Sequence, residues 1–138
     1  MLIDLKNKVD ESLIFVRRHT ESVYKVGIIL GSGLGSVADI IQIETTIRFE
    51  DIPHFHPTNV KTHAGELVFG SLEGVNVVIM KGRFHYYEGF SMKECAYPVS
   101  LLHALGVEVL IVTNAAGGAD PKIQPGDIML IDDHINLT

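Results

Sequence analysis

Two short apolar runs in this chain each end in a loop of very small residues. That pairing limits the fold more than any other feature. Residues 26–30 read VGIIL and run into GSGLG at 31–35; residues 107–112 read VEVLIV and run into TNAAGG at 113–118. Short apolar runs bounded by glycine are the signature of strands buried on both faces. In open α/β sheets, ligands sit at the carboxyl ends of such strands. Both loops are therefore expected to line one crevice.

The remaining segments fill in an α/β order. Leu2, Leu5, Val9, Leu13 and Val16 recur at steps of three or four, which predicts an amphipathic helix over about residues 3–19. Residues 36–41 are expected to open a helix behind the first glycine loop. Residues 67–72 and 75–80 are β-type runs joined at Glu73-Gly74, a hairpin pattern. Ser91-Met92-Lys93-Glu94 has the form of a capping box. It opens a helix to about Leu105, with Pro98 in its early turns and Gly106 as the stop. Residues 107–112 and 127–132 are predicted as two further strands. The sum is a mixed central β-sheet flanked by helices on both faces, a single domain over residues 1–138.

Composition narrows the partners. The 138 residues are 46% hydrophobic, enough for one real core. Net charge is −6, from 17 acidic and 11 basic side chains with no Lys/Arg cluster, so neither nucleic acid nor a membrane is an expected partner. No apolar run approaches the roughly 18 residues a span needs. Acidic residues within the first 15 positions argue against a signal peptide. The single cysteine, Cys95, excludes an intrachain disulfide and fits a reducing compartment. The expectation is a soluble cytoplasmic protein.

Four segments carry candidate chemistry. GSGLG permits several backbone N–H groups to face one anion, with the Ser32 hydroxyl and a following helix dipole as aids. A P-loop is rejected, because its Lys-Ser/Thr is missing. A phosphate loop, a dinucleotide loop (residues 33–38 have GxGxxA spacing) and a plain strand-to-helix turn stay open. In residues 82–89, GRFHYYEG, Arg83 offers a fixed fork of donors for phosphate. His85 can donate to an oxyanion, and Tyr87 offers a flat face to a sugar. The competing reading is a solvated loop tied by an Arg83–Glu88 pair. His63, preceded by His54 and His56, lies at no zinc-motif spacing, so a metal is not expected and His63 reads better as a phosphate-side histidine. In the TNAAGG loop, Asn114 supplies both a donor and an acceptor.

Together these segments resemble the purine nucleoside phosphorylase family of the trimeric, 6-oxopurine type. GIILGSGLGSVAD, HAGELVFG, GRFHYYEG, VTNAAGG and PGDIMLIDDHINL occur in the family's order and at its spacing. The resemblance implies phosphorolysis of purine (deoxy)ribonucleosides to the free base and (deoxy)ribose 1-phosphate. It implies that Ser32, Arg83, His85, the Ala115 N–H and His63 hold phosphate, with His85 and His63 the catalytic histidines. Tyr87 stacks on the ribose, and Gly31, Gly33, Glu88 and Asn114 support the site. No cofactor is implied beyond phosphate as co-substrate, and a homotrimer is implied. Family members continue for about as long again, and their second half grips the base. The chain is thus expected to be the N-terminal part, incomplete for activity alone. The alternatives are a non-catalytic phosphate-binding fragment that assembles with a partner chain, a methylthioadenosine phosphorylase relative and a nicotinamide dinucleotide domain.

Overall fold

A computed structural model of the chain describes residues 2–57 and 65–136. Helix α1 (Leu2–Arg17) leads into strand β1 (Val26–Leu30), followed by a short 3-10 helix (Gly35–Asp39) and strand β2 (Gln42–Arg48). Strands β3 (Glu66–Leu72) and β4 (Val75–Lys81) come next, then helix α2 (Met92–Ala104) and strand β5 (Val109–Val112). The sheet order is β2-β3-β4-β1-β5. β2, β3 and β4 form an antiparallel meander, whereas β4, β1 and β5 run parallel. The sheet is mixed, as the sequence predicts.

Strand alternation splits the core in two. Ile29, Leu67, Phe69, Val78 and Met80 pack with Val9 and Val16 of α1 and with Leu101, Leu102 and Leu105 at the α2 end. Their alternate neighbours Ile28, Leu30, Val68, Val77 and Ile79 pack with Ala38 and Ile41 on the other face. Both α-helices therefore lie on one face, and the opposite face is covered by the 3-10 helix rather than by a second α-layer. Arg17 helps join the two helices, its Nη2 donating to the Leu105 carbonyl at 2.8 Å. Ser91 caps α2 as expected: the Glu94 N–H donates to Ser91 Oγ at 3.3 Å, and the Ser91 N–H donates to Glu94 Oε2 at 2.7 Å. The β3–β4 hairpin turns at Glu73-Gly74, both with positive φ, the backbone that suits the right-handed twist of its strands.

Two sequence expectations are corrected, and one strand is added. The helix behind GSGLG is a five-residue 3-10 helix, because Ile40-Ile41 already leads into β2; no helix macrodipole stands behind the loop. Strand β2 is unanticipated, since only Ile47 of its seven residues is buried and its apolar signal is correspondingly thin. Residues 127–132 form no strand. Ile128 to Ile131 make a continuous apolar run, but no strand among the described residues pairs with it, and Ile128 and Leu130 are 99% and 93% exposed. Among the described residues, no helix is long and apolar enough to cross a membrane.

Candidate anion site at the strand ends

Register alone brings three loops together. Parallel pairing sets Leu30 opposite Lys81 and Ile29 opposite Val112. The chain leaving β1 at Gly31, β4 at Gly82 and β5 at Thr113 thus emerges at one edge. There the Thr113 N–H donates to the Ile29 carbonyl at 3.0 Å. Gly31 comes so close that an added Cβ would lie 2.5 Å from the Thr113 carbonyl oxygen and 2.8 Å from Asn114 Cα. Only glycine fits that approach. Arg83 reaches the same spot from the third loop, its Nη1 donating to the Thr113 carbonyl at 3.1 Å.

The rest of the β4 loop is organised around His85. Arg83 Nε donates to His85 Nε2 at 3.1 Å, so that nitrogen accepts and the ring proton sits on Nδ1. Nδ1 lies 3.5 Å from Glu88 Oε2, which also accepts from the His85 N–H at 3.0 Å. Glu88 caps the turn at Tyr86–Glu88 in this way, and its other oxygen, Oε1, is buried with no hydrogen-bond partner among the described residues. The expected Arg83–Glu88 pair is absent among the described ion pairs, and the histidine stands between the two. Tyr87 stacks on His85, with centroids 4.7 Å apart and planes 20° from parallel. One face of its ring is taken, and the side chain is still 77% exposed.

Of the residues singled out from sequence, Gly31, Arg83, His85, Glu88, Tyr87 and Asn114 belong to this linked cluster. Ser32, Gly33 and Ala115 follow directly in the same loops and are exposed. His63 lies outside the described residues. His54 and His56 sit elsewhere, along a cleft of about 560 Å³ between α1 and α2, lined also by Lys8, Lys93 and Tyr97. His54 Nε2 meets Glu11 at 2.7 Å and His56 Nε2 meets Glu94 at 3.2 Å. No group of three or more metal-ligating side chains occurs among the described residues. Burial pushes the Cys95 thiol up, with the Glu94 and Glu88 carboxylates adding to it, so Cys95 is not an activated nucleophile. Sequence reasoning passed over Thr113 as a site residue. The signal was available: a hydroxyl residue at the first position after a buried strand, facing a glycine loop in a parallel neighbour.

The chain is similar to known proteins in both sequence and fold. Residues 25–138 match the family model described as "Phosphorylase superfamily". Purine nucleoside phosphorylase 1 of Bacillus subtilis is 49% identical over 133 residues, which are 96% of this chain and 49% of the relative. Purine nucleoside phosphorylase of Rattus norvegicus is 49% identical over 89% of this chain and 43% of the relative. Among solved structures, isoform 2 of the Schistosoma mansoni enzyme, in complex with cytosine and ribose-1-phosphate, superposes with a TM-score of 0.80 at 40% identity. That match covers 88% of this chain and 42% of that one. The chain spans about half the length of the curated relatives it matches.

Proposed function

The chain belongs to the phosphorylase superfamily, and from that premise we propose that it carries the phosphate and ribose side of a purine nucleoside phosphorylase. The reaction would be phosphorolysis of a purine (deoxy)ribonucleoside to the free base and (deoxy)ribose 1-phosphate. A phosphate oxygen attacks the anomeric carbon as the N-glycosidic bond breaks, and the bonding pair leaves with the base. Such a bond breaks through an oxocarbenium-like sugar. Because the nucleophile is already an anion, no general base has to create it. Its catalysis then rests on holding phosphate under that carbon and on charge that steadies the sugar cation.

The residues fit those tasks. Arg83 supplies the fixed cation. Ser32, the loop amides and the Ala115 N–H complete the phosphate cradle beside His85, and family resemblance assigns His63 to the same task. Tyr87 offers its outer face to the ribose. Gly31, Gly33, Glu88 and Asn114 hold the loops. Phosphate is the only co-substrate in this scheme, no cofactor takes part, and the whole enzyme works as a homo-oligomer, a trimer by family resemblance. The reading sets the chain in the cytoplasm, where its single thiol, Cys95, stays reduced.

The observation that carries this proposal is the meeting of Gly31, Arg83 and Thr113 at one strand edge. Phosphate titrated into the isotope-labelled chain is expected to move the Gly31, Ser32 and Arg83 resonances together. Resonances that stay put at saturating phosphate would remove the anion site. Inosine phosphorolysis is expected to be weak or absent with this chain alone and to appear when the C-terminal half of the Bacillus subtilis relative is supplied.

A second reading, a phosphate-binding piece that assembles with a partner chain, is favoured by the β5 edge. Val109, Ile111 and Val112 are about half exposed there, and an open strand edge templates association. Light scattering that shows a clean monomer at high concentration would count against it.

A further inference from the structure

We infer that Thr113 is a positioning residue that couples the glycine loop to Arg83; the inference rests on the phosphate reading above. Its hydroxyl makes two bonds that need opposite roles. Oγ1 accepts from the Gly31 N–H at 2.8 Å and donates its one proton to the Ile29 carbonyl at 3.2 Å. The backbone of Thr113 adds two more: its N–H donates to the same Ile29 carbonyl, and its carbonyl accepts from Arg83 Nη1 at 3.1 Å. A single residue thereby fixes the end of β1, the start of the glycine loop and the guanidinium.

This arrangement has a chemical consequence for the loop. The Gly31 N–H is committed to Thr113, so an anion is left to the amides beyond it, at Ser32 and Gly33. Gly31 acts as a strut whose direction is set by the hydroxyl. Thr113 touches no ligand in this scheme; it sets the relative position of the two groups that do. A valine has the same shape but can neither accept from Gly31 nor donate to Ile29, whereas a serine can do both.

The test follows the Gly31 amide and the Arg83 Nε–H by NMR, without and with inorganic phosphate. Thr113→Val is expected to raise the phosphate dissociation constant about three- to tenfold and to move both resonances before phosphate is added. Thr113→Ser is expected to keep affinity within about twofold and both resonances near their original positions. A valine variant that binds phosphate like the unaltered chain overturns the inference, and so does a Gly31 shift without an Arg83 shift. Equal losses in the valine and serine variants overturn it too, because the hydroxyl is then not what acts. Should the unaltered chain bind no phosphate, the phosphate reading fails by itself. The ligand-free resonances still decide the coupling: joint movement supports it, and no movement ends it.

Discussion

Replacing Gly31 by alanine tests the closest approach in the candidate site. The new methyl would sit 2.5 Å from the Thr113 carbonyl oxygen, 2.8 Å from Asn114 Cα and 3.0 Å from the Thr113 carbonyl carbon. Ordinary contact starts at 3.4 Å, so one backbone must retreat from the other by about 0.9 Å, the difference of 3.4 and 2.5. No flexible side chain can absorb this, since all three neighbours are main chain. The retreat pulls at the Thr113 N–H bond to Ile29 and at the 3.1 Å Arg83 bond to Thr113. Overpacking of this kind costs about 1–3 kcal/mol, and a chain of this size loses roughly 3–5 °C in melting temperature per kcal/mol. The expected outcome of Gly31→Ala is a melting point lower by about 3–15 °C. Phosphate affinity should fall at least about tenfold, as expected when a charged hydrogen bond is displaced. Differential scanning calorimetry and isothermal titration read the two effects. A variant that melts and binds like the parent would refute the close packing of the two loops, and with it the shared anion site.

Four further outcomes are expected. Arg83→Ala should weaken phosphate binding by about 1.5–3 kcal/mol, the worth of a charged hydrogen bond, read by calorimetric titration. Ser91→Ala removes the α2 cap and should lower stability by about 0.5–2 kcal/mol in urea denaturation, with phosphate affinity unchanged. Hydrogen bonds from Thr20, Tyr24 and Ser22 hold the Glu44 carboxyl below its ordinary value of 4.5. Between the depressed value and 4.5 the unfolded chain binds more protons, so this contribution is complete above pH 4.5 and is lost as pH falls through the folded value. Glu44→Gln should therefore flatten the acid limb of a stability–pH curve, and an identical slope would show that the carboxylate carries none of it. Ile111→Lys, on the exposed edge strand, should shift any self-association seen by light scattering toward monomer.

The parts of the fold that were legible are those whose side chains are buried. Strand β1, the β3–β4 hairpin and the capped α2 follow from VGIIL, from two β-type runs about Glu73-Gly74 and from Ser91-Met92-Lys93-Glu94. Strand β2 escaped because an edge strand with one buried residue, Ile47, leaves almost no pattern. Residues 127–132 misled for the opposite reason: the apolar run Ile128–Ile131 has the composition of a buried strand, but composition does not show whether a neighbour exists to bury it. The candidate site divides in the same way. GSGLG and GRFHYYEG were readable because glycine, arginine and histidine are conspicuous in loops. The hydrogen bonds that join them were not, because they run through the backbone and one hydroxyl of Thr113.

The same division shows how little sequence the proposed anion site requires. Each of the three loops follows a strand of the same parallel set, and strand register fixes their heights relative to one another before any side chain is considered. Gly31, Arg83 and Thr113 then need only short reaches: one backbone approach, one hydroxyl and one guanidinium. Recognition of a nucleobase demands more, because a flat, neutral ring must be gripped by hydrogen bonds at its edge and by stacking on its faces. Phosphate binding and turnover should therefore separate experimentally in this chain. The proposed phosphate site draws only on these strand ends, whereas turnover calls on residues that the loops after β1, β4 and β5 do not supply. Full inosine turnover by this chain alone, alongside phosphate binding, would show that this separation is false.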